Sequence, residues 1–166
     1  TYFWLELGLQ SIHESTLSSI NRGHDYQTFL TAFEAARKQG IRVCVHVILG
    51  LPGEDRGRML ATAEEMARLR VDGIKIHLLH ILENTPLADL YQAGQVKIME
   101  QAEYVSLVVD FIERLHPETL IHRLTGDGPR DQLLAPLWSL NKWEVINAID
   151  DEFKLRNSRQ GRSLLG

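Results

Sequence analysis

Three short segments dense in Val, Ile and Leu, separated by two stretches of helical period, restrict this chain more than any other feature. Tyr2 to Gln10 alternates from Leu5 onward, with Leu5, Leu7 and Leu9 on one side and Glu6, Gly8 and Gln10 on the other. That period of two predicts a strand buried on at least one face. Ile41 to Leu49 and Ile74 to Ile81 predict two more strands, and their near-continuous apolar runs suit a covered parallel sheet. Between the first two strands, a short turn of helix around Ser15–Ile20 precedes a longer helix. Asp25 is placed to cap that helix, Phe29, Leu30, Phe33 and Ala36 form its apolar stripe, and Gly40 stops it. Between the second and third strands, Glu54 and Asp55 open a helix that runs to about Leu69. Strand, helix, strand, helix, strand at these lengths gives parallel strands joined by right-handed crossovers.

Past Glu83 the rhythm changes. Pro86 to Tyr91 predicts a short helix ended by Gly94, and Glu100 to His116 a strongly amphipathic one carrying Tyr104, Val105, Val108, Phe111, Ile112 and Leu115. Thr119 to Leu124 is a candidate fourth, shorter strand, and Trp143 to Leu155 a last helix. The expected fold is α/β: a partial (β/α) barrel of about three parallel strands with covering helices, plus a mostly helical C-terminal extension. Residues 1–83 form the barrel part, 84–155 the extension, and 156–166 a mobile basic tail. Within and just before that tail, Lys154, Arg156, Arg159 and Arg162 follow the last acid, Glu152.

Composition narrows the function classes. Lys and Arg total 18 against 22 Asp and Glu, so no overall polycation exists to hold nucleic acid or an anionic membrane. No window reaches the roughly 18 uninterrupted apolar residues of a membrane span. One cysteine, Cys44, leaves no disulfide framework and no metal site built on two cysteines of this chain. A cytoplasmic setting is the simplest expectation.

The polar residues of the strands are the informative ones. Glu6, Gly8 and Gln10 share a face of the first strand; Cys44, His46 and Ile48 share one of the second; Lys75, His77 and Leu79 share one of the third. A flat sheet covered by helices on both sides has little use for this. The interior of a parallel barrel, leading to a site at the strand C-termini, has more. In the alternative reading, Glu6, His46 and Lys75 simply satisfy one another in a packed core. Gly50-Leu51-Pro52-Gly53-Glu54 turns at a strand C-terminus, where parallel α/β sites lie, and lacks the Lys-Ser/Thr of a Walker loop. Arg22, in the loop after the first strand, suits a carboxylate clamp or a solvated loop charge. His77 and His80, three apart on a strand, are expected on opposite faces and unable to chelate together. His46 and His77, with Glu6, form a minor candidate for a metal hydrolase, and His122 and Arg123 could reach the same mouth.

Taken together, several segments resemble a known family. Leu5-Glu6-Leu7-Gly8-Leu9-Gln10-Ser11, then Ile20-Asn21-Arg22-Gly23-His24, then His46-Val47-Ile48-Leu49-Gly50-Leu51-Pro52-Gly53-Glu54 resemble the second half of a radical S-adenosylmethionine (SAM) enzyme. Lys75-Ile76-His77, Thr85-Pro86, Gly94 and His122-Arg123-Leu124-Thr125-Gly126-Asp127 are similar to one subgroup. It comprises bacterial Fe–S oxidoreductases of unassigned substrate, akin to tRNA-modifying and oxygen-independent coproporphyrinogen oxidase branches.

The resemblance implies a partial (β/α)6 barrel that binds SAM and a [4Fe–4S] cluster held by a three-cysteine loop. Reductive cleavage of SAM would yield a 5′-deoxyadenosyl radical that abstracts hydrogen from substrate. It implies that Gln10 meets the SAM ribose and Arg22 its carboxylate. Gly50 and Pro52 would line the adenine, and Lys75 and His77 would sit in the lumen. With one cysteine, this chain has no such cluster loop, and its opening Thr1-Tyr2-Phe3-Trp4 reads as if cut from a longer sequence. The expectation is a C-terminal fragment, or else a degenerate relative, inactive alone and binding SAM weakly or not at all. Its partners would be the missing N-terminal half of the barrel, RNA through the basic tail, or another copy through the apolar first strand. A non-catalytic binding or scaffold module of half-barrel fold is the alternative.

Overall fold

The computed structural model describes residues 3–126 and 128–164. Tyr2 of the expected first strand, and Asp127 of the segment after the fourth strand, lie outside the described residues. The strands are β1 (Trp4–Gln10), β2 (Arg42–Leu49), β3 (Gly73–Leu78), β4 (Ile81–Leu82), β5 (Leu120–Arg123) and β6 (Leu133–Ala135). The helices are α1 (Glu14–Ser19), α2 (Tyr26–Lys38), α3 (Arg56–Leu69), α4 (Pro86–Gln92), α5 (Gln101–Arg114) and α6 (Lys142–Leu155).

β1, β2, β3 and β5 form one sheet in that order, every pair parallel. The sheet therefore has four strands where the dense apolar segments alone suggested about three; the short candidate strand near residue 120 completes it. The α/β partial barrel is otherwise as expected. β4 and β6 form a separate antiparallel pair.

Three helices start on side-chain caps that the sequence supplies. Asp25 accepts from the Thr28 N–H at 2.7 Å, Asp55 from Arg58 N–H at 2.8 Å, and Thr85 from Ala88 N–H at 3.2 Å. Each such cap contributes about 1 kcal/mol. The main core lies between one sheet face and the helices. Val43, Val45, Val47, Ile74 and Ile76 are fully buried there against Phe29 and Phe33 of α2, Ala63 and Met66 of α3, and Phe111 of α5. A smaller cluster around Leu51, Leu79, Ile81, Ala88 and Ala135 packs at the C-terminal ends of the strands.

The C-terminal residues, expected to be mobile, lie against α5 instead. Arg156 pairs with Asp110 at 2.5 Å and with Glu152 at 2.6 Å. The Gln160 amide donates to the carbonyls of His116 and Thr119, both at 2.8 Å. A run of basic residues looks solvated in sequence because its acid, Asp110, stands 46 residues earlier.

Candidate functional site

The sheet face opposite the main core carries the polar residues. Register sets Gly8 beside His46 and His46 beside Lys75, with Ile48 beside His77 one step further on. Because side chains alternate along a strand, Glu6, His46 and Lys75 emerge on the same side. They meet there: Lys75 Nζ donates to both Glu6 oxygens at 2.6 Å, and His46 Nε2 lies 2.8 Å from Glu6 Oε2. The face is open, since the Glu6 side chain is 47% exposed. So the three residues do satisfy one another, as the packed-core reading held, but on a cavity wall rather than inside a core. Lys75 draws the Glu6 carboxyl below its ordinary range, and His46 adds to the effect against partial burial. Burial lowers the His46 imidazole even though Glu6 opposes it.

At the N-terminal end of this face, Trp4 and His122 form an edge-on pair with centroids 4.7 Å apart. A methyl group on Gly73 would stand 2.7 Å from His122 Nε2 and 2.9 Å from Trp4 Cζ3. Gly73 thus gives the two rings room to pack on this face. Although alanine suits a strand better than glycine does, Gly73→Ala is expected to lower stability by about 1–2 kcal/mol through overpacking. The urea midpoint checks this.

At the C-terminal end the polar face opens into a mouth of about 380 Å³ lined by Gln10, His46, Ile48, His77, His80 and Arg123, with Gly126 at its rim. β1 ends irregularly: the register shifts between Gly8 and Gln10, and Gln10 adopts φ 73°. A non-glycine residue there is strained, a feature that clusters at functional sites. Arg22 folds back over β1 and donates to the Gly8 carbonyl at 2.6 Å. A side chain at position 8 would meet Gln10 Nε2 at 2.8 Å and Arg22 Nη2 at 2.9 Å. The glycine is therefore what lets Gln10 and Arg22 come together. Buried Arg22 Nε, His77 Nε2 and Thr125 Oγ1 have no hydrogen-bond partner among the described residues. Buried polar atoms are rarely left so, and a polar ligand at this mouth would account for them.

His77 is held neutral. Burial, aided by the cationic influence of His46, Arg123, Lys75 and His80, pushes its pKa down to about 4. Its relation to His80 corrects the strand-parity argument. β3 ends at Leu78, and Leu79 N–H donates to Leu49 O at 2.9 Å as the chain turns away. His80 therefore comes to the same mouth as His77. A methyl on Gly126 would stand 3.1 Å from His80 Cε1 and 3.7 Å from His77 Nδ1.

The other sequence candidates lie elsewhere. Gly50, at φ 86°, has its side-chain direction filled by Met99 Cε, 2.7 Å from where a methyl would stand. Pro52 belongs to the same turn, whose Leu51 is buried in the smaller apolar cluster. Lys75 sits deeper than the mouth, committed to Glu6. Glu54 accepts a hydrogen bond from the Ser11 hydroxyl, which joins the loop after β1 to the loop after β2. Thus Gln10 and His77 line the mouth with Arg22 adjoining, while Gly50, Pro52 and Lys75 support it from outside.

Among the described residues, no group of three or more His, Cys, Asp or Glu side chains is arranged to hold a metal ion. Cys44 is the single cysteine and is fully buried, and burial pushes its thiol up to about 11. These residues do not fit an iron–sulfur cluster. The mouth does fit a polar organic cofactor, on His77 Nε2 and on Arg22 Nε beside it, neither of which has a partner among the described residues. No helix among the described residues is long and apolar enough to cross a membrane.

Comparison with known proteins gives this site a context. The Radical SAM superfamily model matches residues 2–66, and the Radical_SAM C-terminal domain model matches residues 71–154. The uncharacterized protein YtqA of Bacillus subtilis is 50% identical over 162 residues, covering 98% of this chain and 50% of YtqA. Protein YhcC of Escherichia coli is 39% identical over 165 residues, covering 98% of this chain and 53% of YhcC. The chain thus spans about half the length of these curated relatives. The structure of the archaeal Methanocaldococcus infernus Elp3 with an N-terminal deletion superposes with a TM-score of 0.81 at 19% identity, covering 93% of this chain and 36% of that one. That likeness shares the fold. With both family models matched in sequence order along its parallel sheet and extension, the chain belongs to the radical SAM superfamily.

Proposed function

We propose that this chain forms the C-terminal wall of the active-site cavity of a radical SAM oxidoreductase, with the [4Fe–4S] ligands supplied from outside these residues. Bound together, SAM and the cluster supply reductive cleavage of a carbon–sulfur bond, which starts hydrogen abstraction from substrate. This chain's part is to bind and orient. Gln10 and Arg22 hold the polar end of SAM, the Arg22 guanidinium facing its carboxylate. The Gly50–Pro52 turn backs the adenine, and neutral His77 borders the substrate. The outer edge of β1 is where a preceding barrel strand would add, in a cytoplasmic setting.

The observation that carries this reading is the convergence of Gln10 and Arg22 over Gly8, with a buried Arg22 nitrogen lacking a partner among the described residues. Calorimetry with SAM tests it. The 166-residue chain alone is expected to bind weakly or not at all. Joined to the half of YtqA that this chain does not cover, it is expected to bind SAM, and Arg22→Gln to weaken that binding about tenfold. Gln10→Asn keeps a residue that tolerates φ above zero while shortening its reach, and should weaken binding less. Tight binding by the isolated chain, or an Arg22→Gln variant with unchanged affinity, would contradict the proposal. The latter result would favour a non-catalytic module.

A further inference from the structure

In the Glu6–His46 pair the carboxylate is fully committed and the imidazole is only half so. Lys75 donates to both Glu6 oxygens at 2.6 Å, which fixes the carboxylate and keeps it ionised. An ionised carboxylate can only accept, so the His46 nitrogen 2.8 Å from it, Nε2, carries the proton of the neutral ring. Nδ1 then holds a lone pair. It takes part in no hydrogen bond among the described residues, and it is not one of the buried polar atoms left without a partner. The His46 side chain is 25% exposed, and its ring lines the mouth. An imidazole oriented by a carboxylate, with its second nitrogen on a cavity wall, is the arrangement of a general base: the anion stabilises the imidazolium as it forms.

The surroundings suit that task. Burial, Lys75 of β3 and Arg123 of β5 lower the proton affinity of His46, and Glu6 of β1 opposes them, so the ring is neutral at pH 7 and ready to accept. The His77 ring of β3, with its centroid 5.4 Å from that of His46, is itself held neutral and sets no second full charge against an imidazolium.

We propose that His46 is the proton acceptor of the mouth, its Nδ1 taking a proton from an O–H or N–H group of the substrate, with Glu6 as the positioning residue and Lys75 fixing Glu6. The step moves one proton. The heteroatom–hydrogen bond breaks and leaves its electron pair on the substrate, the Nδ1–H bond forms, and the proton passes to water through the open side of the face. The assignment rests on the reading of the mouth as the cavity where substrate meets the SAM-derived radical, and it adds a substrate class. A group that carries only lone pairs, such as a carbonyl or carboxylate oxygen, would face the lone pair of Nδ1 and be disfavoured beside β2.

The test is made on the intact chain with two readouts of His46. Imidazole ¹⁵N NMR reports which nitrogen carries the proton. Diethyl pyrocarbonate, which acylates accessible unprotonated imidazole nitrogens, reports reactivity between about pH 5 and 8, with the modified peptides located by mass spectrometry. The expected result is a ring protonated at Nε2 and bare at Nδ1, acylated at a rate that rises with pH through its own midpoint. Glu6→Gln should move that midpoint down, because the stabilising anion is gone, and Glu6→Asp should restore part of it. Lys75→Met should move it up, because an opposing cation is gone. Opposite shifts are not what a merely structural cluster gives, and if Glu6→Gln does not fold, Lys75→Met carries the comparison. A ring protonated at Nδ1, a His46 that resists acylation, or a midpoint that neither variant moves overturns the assignment. Arg22→Gln should leave the midpoint unchanged. A reactive, Glu6-dependent His46 in a chain whose joined form ignores SAM would sink the cofactor reading alone. An inert or Glu6-independent His46 with SAM binding intact would sink the proton acceptor alone.

Discussion

Truncating Tyr104 to alanine is expected to lower the stability of the chain by about 3–5 kcal/mol, as for other large aromatic core residues. Tyr104 is fully exposed to protein and not at all to water, and burial raises its hydroxyl pKa well above the ordinary value. Its ring packs 5.5 Å from Trp138, whose indole N–H donates to the Met99 carbonyl at 3.1 Å. Met99 in turn fills the space beside Gly50. Removing the ring opens a cavity among α5, the segment before α6 and the turn after β2, and rigid neighbours can close little of it. Tyr104→Phe separates packing from polarity. The hydroxyl donates to Leu124 O at 2.8 Å, directly after β5, so its loss costs about 1 kcal/mol. The larger consequence of Tyr104→Phe is local. Amide exchange at Leu124, Thr125 and Gly126 should accelerate while that of β2 stays unchanged. Chemical denaturation measures the first effect and hydrogen exchange the second. Equal stability of Tyr104→Ala and Tyr104→Phe would refute the account.

That the extension holds the mouth is not something the amino-acid order shows directly. Period-two and helical patterns made β1, β2, β3 and the helices between them legible, since each has enough residues for the burial pattern to repeat. Parity alone put Glu6, His46 and Lys75 on one face, and that is where they stand. β4 and β6 escaped because ladders of two and three residues carry no period. His80 was misplaced for a related reason. An apolar run to Ile81 looks like one strand, yet the chain leaves the sheet after Leu78, and alternation lapses with it. The left-handed backbone of Gln10 has no signal, because glutamine is an ordinary strand neighbour and only the bulge beside Gly8 twists it. The anchoring of Arg156 on Asp110 was equally hidden: it depends on α5 and α6 lying side by side, which local sequence does not specify. The legible part is thus what repeats along the chain. The rest is what tertiary contact imposes at its ends and bends.

A second large effect is expected from acid. His77 titrates near 6.5 when unfolded and near 4 when folded. Between those values the unfolded chain holds a proton that the folded chain refuses, so stability must fall as pH falls through that window. At about 1.4 kcal/mol per pH unit the limit is about 3 kcal/mol, and partial exposure of the ring brings it to about 1–2 kcal/mol. His46, lowered mainly by burial, acts in the same direction below 6.5. Glu6 adds a later step: its carboxyl is held below 4.5 chiefly by Lys75, so its share of stability is present above 4.5 and is lost as the pH drops through its lower folded value. Urea denaturation at pH 7, 5.5 and 4 should show a steady loss, largest in the interval between 6.5 and 4. His77→Gln keeps a hydrogen-bonding side chain that does not titrate. It should make the loss in that interval shallower, leaving the share of His46 and the later Glu6 step, and equal slopes in the two chains would show that the imidazole is not kept neutral by its surroundings.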